Sequence, residues 1–566
     1  MSAHASAPLR TGGQVLVDAL RLHGVDTVFC VPGESHLPII DALHDHQDTI
    51  RLVVCRHEAA AAHMAEAYGK LTGRPGVCLV TRGPGITQAS IGLHTAAQDS
   101  TPMLMLVGQI HSEFLGREAW QEMNMGQVFQ TVVKRVEQVD RVDRIPEILS
   151  RCLHAAVSGR PGPTLVSVPE DLLYAQAQVS DLGAYQTVVT HTGAIEMAQL
   201  AHELAQARRP VLIVGGSGWS AQACADLQLF AERFQLPVCT GFRRQDLFNN
   251  THALYAGALG PGVNAQLAQR VKDADLVVAI GTRLSESTSA EYTLLQAPRP
   301  VQRLVHIHPD SQELGRVYQA DVLIQASMPS CAQALAHMAA SAPPSPCAWA
   351  EWTRSAHADY LAALVPTQVP GNVNLGTVVA WLSQRLPANA IVTNGAGNYT
   401  GWVHRFFQHQ QFNTQLGPIS GTMGYGVPAA IAAKVVHPDR VVVCFAGDGC
   451  FLMSEQELAT AKQHRLPIVF IVVNNRMYGS IRMHQEINFP GKVYGTILEN
   501  PDFVLLAQAY GLEGRRVHYT DDFPGAFEAS LRAPHGAVIE LCTDPQAITP
   551  NTTLSALRQA HSTSSP

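Results

Sequence analysis

Two oxygen-bearing side chains, Asp448 and Asn475, each directly follow an apolar run that predicts a buried strand. The residues between them predict one helix, so these strands should be parallel neighbours whose carboxyl ends lie side by side. A carboxylate and an amide oxygen placed together suit Mg²⁺, which completes its shell with phosphate oxygens and water. Gly447 and Gly449 would let backbone N–H groups approach a phosphate closely. The pattern predicts a site for Mg²⁺ and a phosphorylated ligand, although Asp-Gly turns and Asn-Asn strand ends also occur without one.

This Gly-Asp-Gly and Asn-Asn pair resembles the cofactor motif of the thiamine diphosphate-dependent enzymes, specifically the group containing 2-oxo-acid decarboxylases and acetolactate synthase large subunits. The resemblance covers nearly the whole chain. It implies that Mg²⁺ is held by the Asp448 carboxylate, the Asn475 side chain and the Met477 carbonyl. It also implies that the bound cofactor is thiamine diphosphate.

Two further glycine-bearing loops resemble parts of the same family's cofactor site. In IVTNGAGNYTGW the resemblance implies that Gly397, Asn398 and Tyr399 lie along the diphosphate, although the family usually has Gly-Gln-His there. In GTMGYGVP it implies that the backbones of Gly421 and Met423 bind the aminopyrimidine, with Met423 holding the cofactor bent. Core packing is the ordinary alternative for Met423, because methionine fills gaps well.

Glu58 opens a predicted helix of small apolar residues. A glutamate in the first turn commonly does no more than stabilise the helix dipole. However, the segment RHEAAAAHMAEAYG resembles the family segment that bears the cofactor-activating glutamate. The resemblance implies that Glu58 hydrogen-bonds N1′ of the aminopyrimidine and promotes loss of the C2 proton. Its presence argues against the glyoxylate carboligase branch, which lacks this glutamate.

The expected substrate pocket combines matches and alternatives. Gln109 and Gln121 stand where the family has a Gly-Gln strand end and a Phe-Gln pair near the cofactor, with Trp120 in place of the phenylalanine. Glu34 aligns with an acidic residue that pyruvate decarboxylases use for proton transfer. A solvated loop is the alternative for Glu34 and His36.

Two residues of this pocket depart from the acetolactate synthases. His484 occupies the position of a tryptophan that selects the second keto acid, and Glu170 occupies that of a lysine. Both departures weaken acetolactate synthesis as the specific reaction.

These residues require strands that deliver them to one edge of a sheet. Apolar strands alternate with helices along the chain and end in glycine-bearing loops, which predicts an α/β fold of three doubly wound parallel-sheet domains. We expect a pyrimidine-binding domain at residues 1–185, a central domain at 190–345 and a diphosphate-binding domain at 365–566. A polar stretch at 175–192 and a proline-rich stretch at 341–349 are the predicted linkers.

The central domain leaves its ligand open. Acetolactate synthases hold a structural FAD there, contacted by an arginine that corresponds to Arg283 in the segment GTRLSE. The acidic pair that follows this arginine in the family is changed. FAD, an adenine nucleotide and no ligand all remain open, so a flavoprotein is one of three alternatives.

Composition bounds the partners and the compartment. The 566 residues include 46% hydrophobic and 15% charged residues, and the formal net charge is −7 without a basic run. Nucleic acid is therefore not an expected partner. The 11 cysteines form no C-x-x-C pair, and no long apolar run indicates a membrane span. We expect a cytoplasmic protein.

The sequence thus indicates a Mg²⁺- and thiamine diphosphate-dependent enzyme, a transferase or lyase that decarboxylates a 2-oxo acid and passes the acyl carbanion to a carbonyl acceptor. One alternative is a non-decarboxylating carboligase of 2-hydroxy ketones or 2-hydroxyacyl-CoA. Another is a catalytically idle, cofactor-binding regulatory subunit. The resemblance also implies a homodimer or homotetramer whose active sites lie at the subunit interface.

Overall fold

The computed structural model describes residues 8–341 and 347–564, with side chains as far as residue 560. Residues 1–7 of the expected first domain and 565–566 of the third lie outside the described residues. So do the prolines of the expected linker at 341–349. The chain has two compact units, one formed by residues up to 188 with 431–438 and 454–466, and the other by the rest.

The first unit contains one six-stranded parallel sheet and a short antiparallel pair. The sheet order is β3-β2-β4-β5-β7-β6, and β1 pairs with β8. The strands are β1 (Leu9–Thr11), β2 (Thr27–Cys30), β3 (Arg51–Val54), β4 (Gly76–Val80), β5 (Met103–Gln109), β6 (Arg135–Gln138), β7 (Pro163–Pro169) and β8 (Gln176–Gln178). The helices from this stretch are α1 (Gly12–Leu22), α2 (Leu37–His44), α3 (Glu58–Thr72), α4 (Gly83–Asp99), α5 (Met125–Phe129), α6 (Ile145–Val157) and α7 (Glu170–Tyr174).

The second unit contains two parallel sheets. The central one has the order β11-β10-β9-β12-β13-β14. Its strands are β9 (Pro210–Val214), β10 (Val238–Thr240), β11 (Tyr255–Ala258), β12 (Leu276–Ile280), β13 (Arg303–His308) and β14 (Val322–Gln325). Its helices are α8 (Ala194–Gln206), α9 (Ala221–Phe234), α10 (Ala265–Asp273), α11 (Met328–Ser341) and α12 (Ala350–Ala363).

The third sheet has the order β16-β15-β17-β18-β20-β19. Its strands are β15 (Ile391–Asn394), β16 (Gln415–Leu416), β17 (Val442–Gly447), β18 (Val469–Asn474), β19 (Glu513–Val517) and β20 (Ala537–Cys542), followed by the hairpin β21 (Ala547–Thr549) and β22 (Thr552–Thr553). The helices after residue 370 are α13 (Leu375–Arg385), α14 (Thr400–Phe406), α15 (Gly426–Val436), α16 (Asp448–Phe451), α17 (Leu458–Gln463), α18 (Gly479–Asn488), α19 (Phe503–Ala509), α20 (Phe523–Leu531) and α21 (Leu554–Ser564).

The sheet interiors follow from the apolar runs in the sequence. The strands β2, β4, β5 and β7 are buried along their whole length, as expected for parallel strands covered by helices on both faces. At the start of β4, a side chain on Gly76 would place its Cβ 1.8 Å from the carbonyl oxygen of Ala65 in α3. The glycine therefore permits the close packing that fixes α3, the helix that begins with Glu58.

Numbered within each sheet along the chain, the first and third sheets share the strand order 2-1-3-4-6-5, whereas the central sheet has 3-2-1-4-5-6. In each case the order reverses between two adjacent strands, and open parallel sheets bind ligands in the crevice at that point. The prediction of three parallel α/β domains is confirmed. None of the described helices combines the length and the apolar character needed to cross a membrane.

Candidate functional site

The order of the third sheet reverses between β15 and β17, and the loops that follow these strands meet there. The backbone N–H of Gly395 donates to the Tyr399 hydroxyl at 3.0 Å. A Cβ on Gly447 would lie 3.1 Å from the Tyr399 ring, so this ring packs directly against the glycine. The Gly424 N–H donates to Cys450 Sγ at 3.2 Å. Tyr399 and Cys450 therefore tie together the three glycine-bearing loops expected to form the cofactor site.

Asp448 is the first residue of α16 and only 2% exposed. Its Oδ1 accepts from Gly449 N at 2.9 Å, and its Oδ2 accepts from the Asn500 amide at 2.8 Å. Burial raises the pKa of Asp448, with the hydrogen bond from Asn500 acting in the opposite direction. Within residues 8–341 and 347–564 the carboxylate has no cationic partner. Asp448 is therefore a buried anion, and its described hydrogen bonds come from neutral groups that do not compensate the charge.

Asn475 directly follows β18, the parallel neighbour of β17, as the sequence predicts. Its amide oxygen accepts from the backbone N–H of Met477 at 3.3 Å. The preceding residue, Asn474, instead donates to Glu540 at 2.7 Å and accepts from Asn500 at 3.0 Å. Thus Asn474 supports Asn500, which in turn holds Asp448.

A buried carboxylate beside the strand end that carries Asn475 offers the kind of oxygen ligands that a small hard cation prefers. A cluster of three or more His, Cys, Asp or Glu side chains able to hold a metal does not occur in the part of the chain that the structure describes. A cation site here would therefore use Asp448 together with amide and backbone oxygens.

The three predicted cofactor residues in the loop after β15 differ in the contacts that they make. Gly397 has φ +141°, a value that favours glycine. The Asn398 side chain accepts from Ser480 Oγ at 2.7 Å and donates to the Ile548 carbonyl at 3.1 Å. The buried Tyr399 side chain faces the loops beneath, so a contact from Asn398 or Tyr399 to a diphosphate would fall to the backbone. These two side chains instead hold the loop in position.

The loop before α15 contains the other two predicted cofactor residues. Gly421 is exposed and has φ +69°. Met423 is half-buried and packs against the core of the third sheet, which agrees with the alternative that it is a core-packing residue. A cavity of about 800 Å³ in the second unit is lined by residues around β11 and by loops and helices of the segment that carries the third sheet. Its walls include Gly397, Asn398, Gly421 and the exposed side chain of His484.

In the first unit, Glu58 is half-buried and forms the first turn of α3. The helix is capped by His57, whose Nδ1 accepts from Ala59 N at 3.1 Å. The Glu58 carboxylate itself has no hydrogen-bond partner among the residues described. Burial first, and then the charge of Glu58, raise the pKa of the Cys30 thiol to about 12. The carboxylate thus lies beside an apolar interior and has its acceptors free.

The loop that carries Glu58 is held by a residue that sequence reasoning missed. Glu457, which is fully buried, accepts from the backbone N–H of Arg56 at 3.0 Å. Burial raises the pKa of Glu457, and a hydrogen bond from Thr460 opposes this shift. No local pattern marks this contact, because Arg56 and Glu457 lie 401 positions apart in the chain.

Glu34 and His36 lie together in the turn after β2 but in different surroundings. Glu34 is exposed, which is compatible with both of its alternatives. His36 is fully buried and its Nε2 accepts from Gly33 N at 3.1 Å. Burial lowers the pKa of His36 to about 4, so the ring is neutral at pH 7. The alternative of a solvated loop is wrong for His36.

Gln121 has φ +66°, and its side-chain oxygen accepts from Arg82 Nε at 3.1 Å. Trp120 is 71% exposed. Gln109 is fully buried, and both ends of its amide are bonded, one to Met123 O and the other to Ile110 N. Gln109 is therefore a structural residue in this chain. Arg82 was not predicted as a site residue. An arginine beside Gly-Pro-Gly directly after a buried strand could have indicated one.

Arg283 is half-buried in the loop after β12, beside the reversal point of the central sheet between β9 and β12. The two loops at this point approach closely, because a Cβ on Gly216 would lie 1.9 Å from Gly281 O. The predicted residues thus gather at three strand edges. One edge, in the third sheet, carries Asp448, Asn475 and the glycine loops. The edge of the first sheet carries Glu58, Glu34 and Gln121, and that of the central sheet carries Arg283.

Comparisons with known proteins match all three sheets. Models of the thiamine pyrophosphate enzyme family match residues 10–129 as the N-terminal TPP binding domain, 197–335 as the central domain and 395–541 as the C-terminal TPP binding domain.

Among curated proteins, the chain is similar to the acetolactate synthase large subunit of Parasynechococcus marenigrum, with 34% identity over 95% of this chain and 88% of the relative. The isozyme 2 large subunit of Escherichia coli is 32% identical over 94% of this chain and 95% of its own length. The large subunit of Corynebacterium glutamicum is 33% identical, with coverages of 91% and 83%.

The uncompensated charge of Asp448 predicts a stability effect. Because burial raises its pKa in the folded chain, the stabilising contribution of the protonated form is full below pH about 4 and is lost as the pH rises through the raised pKa. At pH 7 without divalent cations, Asp448→Asn should therefore stabilise the fold by about 1 kcal/mol, which for a unit of this size raises the melting temperature by roughly 1–2 °C. Differential scanning calorimetry would measure this gain, which should disappear towards pH 4.

The matched control is Asp502→Asn. Asp502 caps α19, and its pKa is lowered by the hydrogen bond from Leu505 N and by Arg516, so removing its charge should bring no gain. An Asp448→Asn protein that melts at or below the wild-type temperature would contradict the assignment of an uncompensated buried charge.

Proposed function

Because this chain belongs to the thiamine pyrophosphate enzyme family, we propose that it is a thiamine diphosphate-dependent carboligase of the acetolactate synthase type. It decarboxylates a 2-oxo acid such as pyruvate and transfers the acyl group to a carbonyl acceptor. The observation that carries this proposal is the buried Asp448, which has no cationic partner among the described residues, at the order reversal of a sheet in the matched C-terminal domain. The similarity to acetolactate synthase large subunits over 90% or more of the chain supports the reaction class.

The metal proposed for this site is Mg²⁺, held by Asp448, Asn475 and the Met477 carbonyl. The ion would compensate the carboxylate and at the same time neutralise a diphosphate. The backbones of Gly447 and of the loop at 396–400 would bind the diphosphate oxygens, because nearby side chains already have partners within the protein. Gly449, whose N–H already donates to Asp448, would border the diphosphate. Gly421 and Met423 would border the pyrimidine.

Thiamine diphosphate bound here would supply a nucleophilic carbon and an electron sink for decarboxylation of a 2-oxo acid. Glu58 would bind N1′ of the pyrimidine and hold a proton there, which its free acceptors beside an apolar interior support. Exposed Glu34 is proposed to move protons at the substrate, and Gln121 to orient it. His484, exposed on the wall of the large cavity, is proposed to contact the acceptor.

FAD in the central domain also remains a proposal, supported by the position of Arg283 at the order reversal of that sheet. A non-decarboxylating reaction on 2-hydroxyacyl-CoA and an idle regulatory subunit receive no support from a specific contact in the described residues. The presence of Glu58, Asp448 and Asn475 argues against idleness. The cytoplasmic location stays a prediction from the sequence.

The role of Glu58 can be tested without knowledge of the substrate. Glu58→Gln should retain much of the affinity for thiamine diphosphate but slow exchange of the cofactor's C2 proton by ~10²–10⁴-fold, the usual range for acid–base assistance. Quenched-flow NMR measures this exchange. The control is Glu147→Gln, which changes a first-turn glutamate of another helix in the same unit. Equal exchange rates in Glu58→Gln and wild type would remove this assignment.

The proposed assembly is a homodimer at least, with active sites shared between subunits. One short cofactor must meet both Glu58 and Asp448, and a two-fold pairing of the first and third domains of different copies would provide two equivalent sites. A dimer of such dimers would be the homotetramer. Small 2-oxo acids are the proposed substrates.

Mixing inactive subunits tests this arrangement. Glu58→Gln and Asp448→Ala chains, unfolded together in equal amounts and reassembled, should give about half mixed dimers, each with one intact site of two. Activity near a quarter of wild type is expected, and native mass spectrometry would count the mixed species. Mixed dimers without activity would show that each site lies within one chain.

A further inference from the structure

Arg82 lies at the order reversal of the first sheet, between β2 and β4. The loops after these strands are joined by a hydrogen bond of 2.9 Å between Ser35 Oγ and Thr81 Oγ1. Arg82 directly follows Thr81 and forms the N-cap of α4, yet it is only 8% exposed. An arginine is rarely buried unless it is paired, so its partners are informative.

Two hydrogen bonds fix the guanidinium on one side. Nε donates to the Gln121 side-chain oxygen and Nη1 to Glu170 Oε2, both at 3.1 Å. The group also lies 5.4 Å from the centre of the Trp120 ring. These partners come from two separate segments, the 120–121 turn and the start of α7, which together hold the planar fork in one orientation.

The other side of the fork remains free. Nη2 has no hydrogen-bond partner within the described ranges. It is also not one of the buried atoms that lack both a partner and contact with solvent. The first amide of α4 is not a competing donor, because Gly83 N already donates to the Gln121 carbonyl at 3.2 Å. Arg82 is thus a preorganised donor at the edge of the sheet where Gln121 and Glu34 also lie.

We propose that Arg82 binds the carboxylate of the 2-oxo acid and that Glu170 tunes this affinity, an inference that rests on the proposed function. A planar guanidinium matches the geometry and charge of a carboxylate. Glu170 is 30% exposed and bonds only Nη1, so it holds the arginine in place and offsets part of its charge. The departures at Glu170 and Trp120 from the family pattern then belong to one cluster around Arg82.

Glu170→Gln separates this role from a structural ion pair. Glutamine keeps an oxygen that can accept from Nη1 but removes the negative charge. If Arg82 binds the substrate carboxylate, the KM for pyruvate should fall by roughly threefold or more, the effect of one charge about 6 Å away at high dielectric. A purely structural pair would leave this KM unchanged.

Arg82→Met should act in the opposite direction. Loss of a charge-assisted hydrogen bond should raise the KM for pyruvate by ~10–100-fold. Arg141→Met is the matched control, because Arg141 is an exposed arginine of the same unit that pairs with Asp143, and its KM should not change. If Arg82→Met does not fold, the KM for pyruvate of Glu170→Gln still tests whether Arg82 binds the substrate carboxylate.

Two assays distinguish the donor carboxylate from that of the acceptor. With ferricyanide as oxidant, decarboxylation of pyruvate reports on the donor alone. With benzaldehyde as an uncharged acceptor, the KM for benzaldehyde should stay the same in every variant. A KM shift for pyruvate in the ferricyanide assay assigns Arg82 to the donor, and a shift only in pyruvate self-condensation assigns it to the acceptor.

Calorimetric titration with oxamate, a non-reacting carboxylate of similar shape to pyruvate, separates this inference from the proposed function. Binding should be ~10–100-fold weaker in Arg82→Met and stronger in Glu170→Gln. This result would support the carboxylate site even if the wild type turned over no 2-oxo acid. Equal oxamate affinity in wild type and both variants would overturn the inference.

Discussion

The uncompensated charge of Asp448 is the constraint on which the cofactor site depends. Its carboxylate is almost completely buried, and its two described hydrogen bonds come from neutral groups, Gly449 N and Asn500. Burying an unpaired charge is costly, so the apo chain is less stable than its packing alone would allow. A bound cation removes that cost, which couples folding free energy to ligand binding. Asn474 and Asn500 orient the carboxylate without neutralising it.

The same sheet topology appears twice, with different polar residues at the same edge. The first and third sheets have the same strand order, and in each the loops at the reversal point carry the polar residues. In the third sheet these loops combine glycines with one anion, which suits a metal and a diphosphate. In the first sheet they carry the exposed Glu34 and the buried Arg82, and the arginine suits a small anionic substrate. The difference in charge between two similar edges follows from a few loop residues.

Features set by the local order of strands and helices could be predicted from the sequence. Contacts between residues far apart in the chain could not. Asp448 and Asn475 could be placed together because consecutive parallel strands end at the same edge, and Glu58 could be placed at a helix start. The Tyr399 side chain could not be placed, because its hydroxyl contact to Gly395 depends on how the loop folds back. The partners of Arg82 lie 39 and 88 positions away in the chain, so no periodicity could reveal them. Burial of His36 likewise depends on tertiary packing.

The most direct test is calorimetric titration of thiamine diphosphate in the presence of Mg²⁺, with the wild type and Asp448→Ala compared under the same conditions. Removal of one partner from a buried charge pair costs several kcal/mol, so the variant should bind roughly 100-fold more weakly or worse. Asp502→Ala, which removes an exposed carboxylate from the same unit, should bind as wild type does. Wild-type affinity in Asp448→Ala, or a wild type that binds no thiamine diphosphate, would contradict the account.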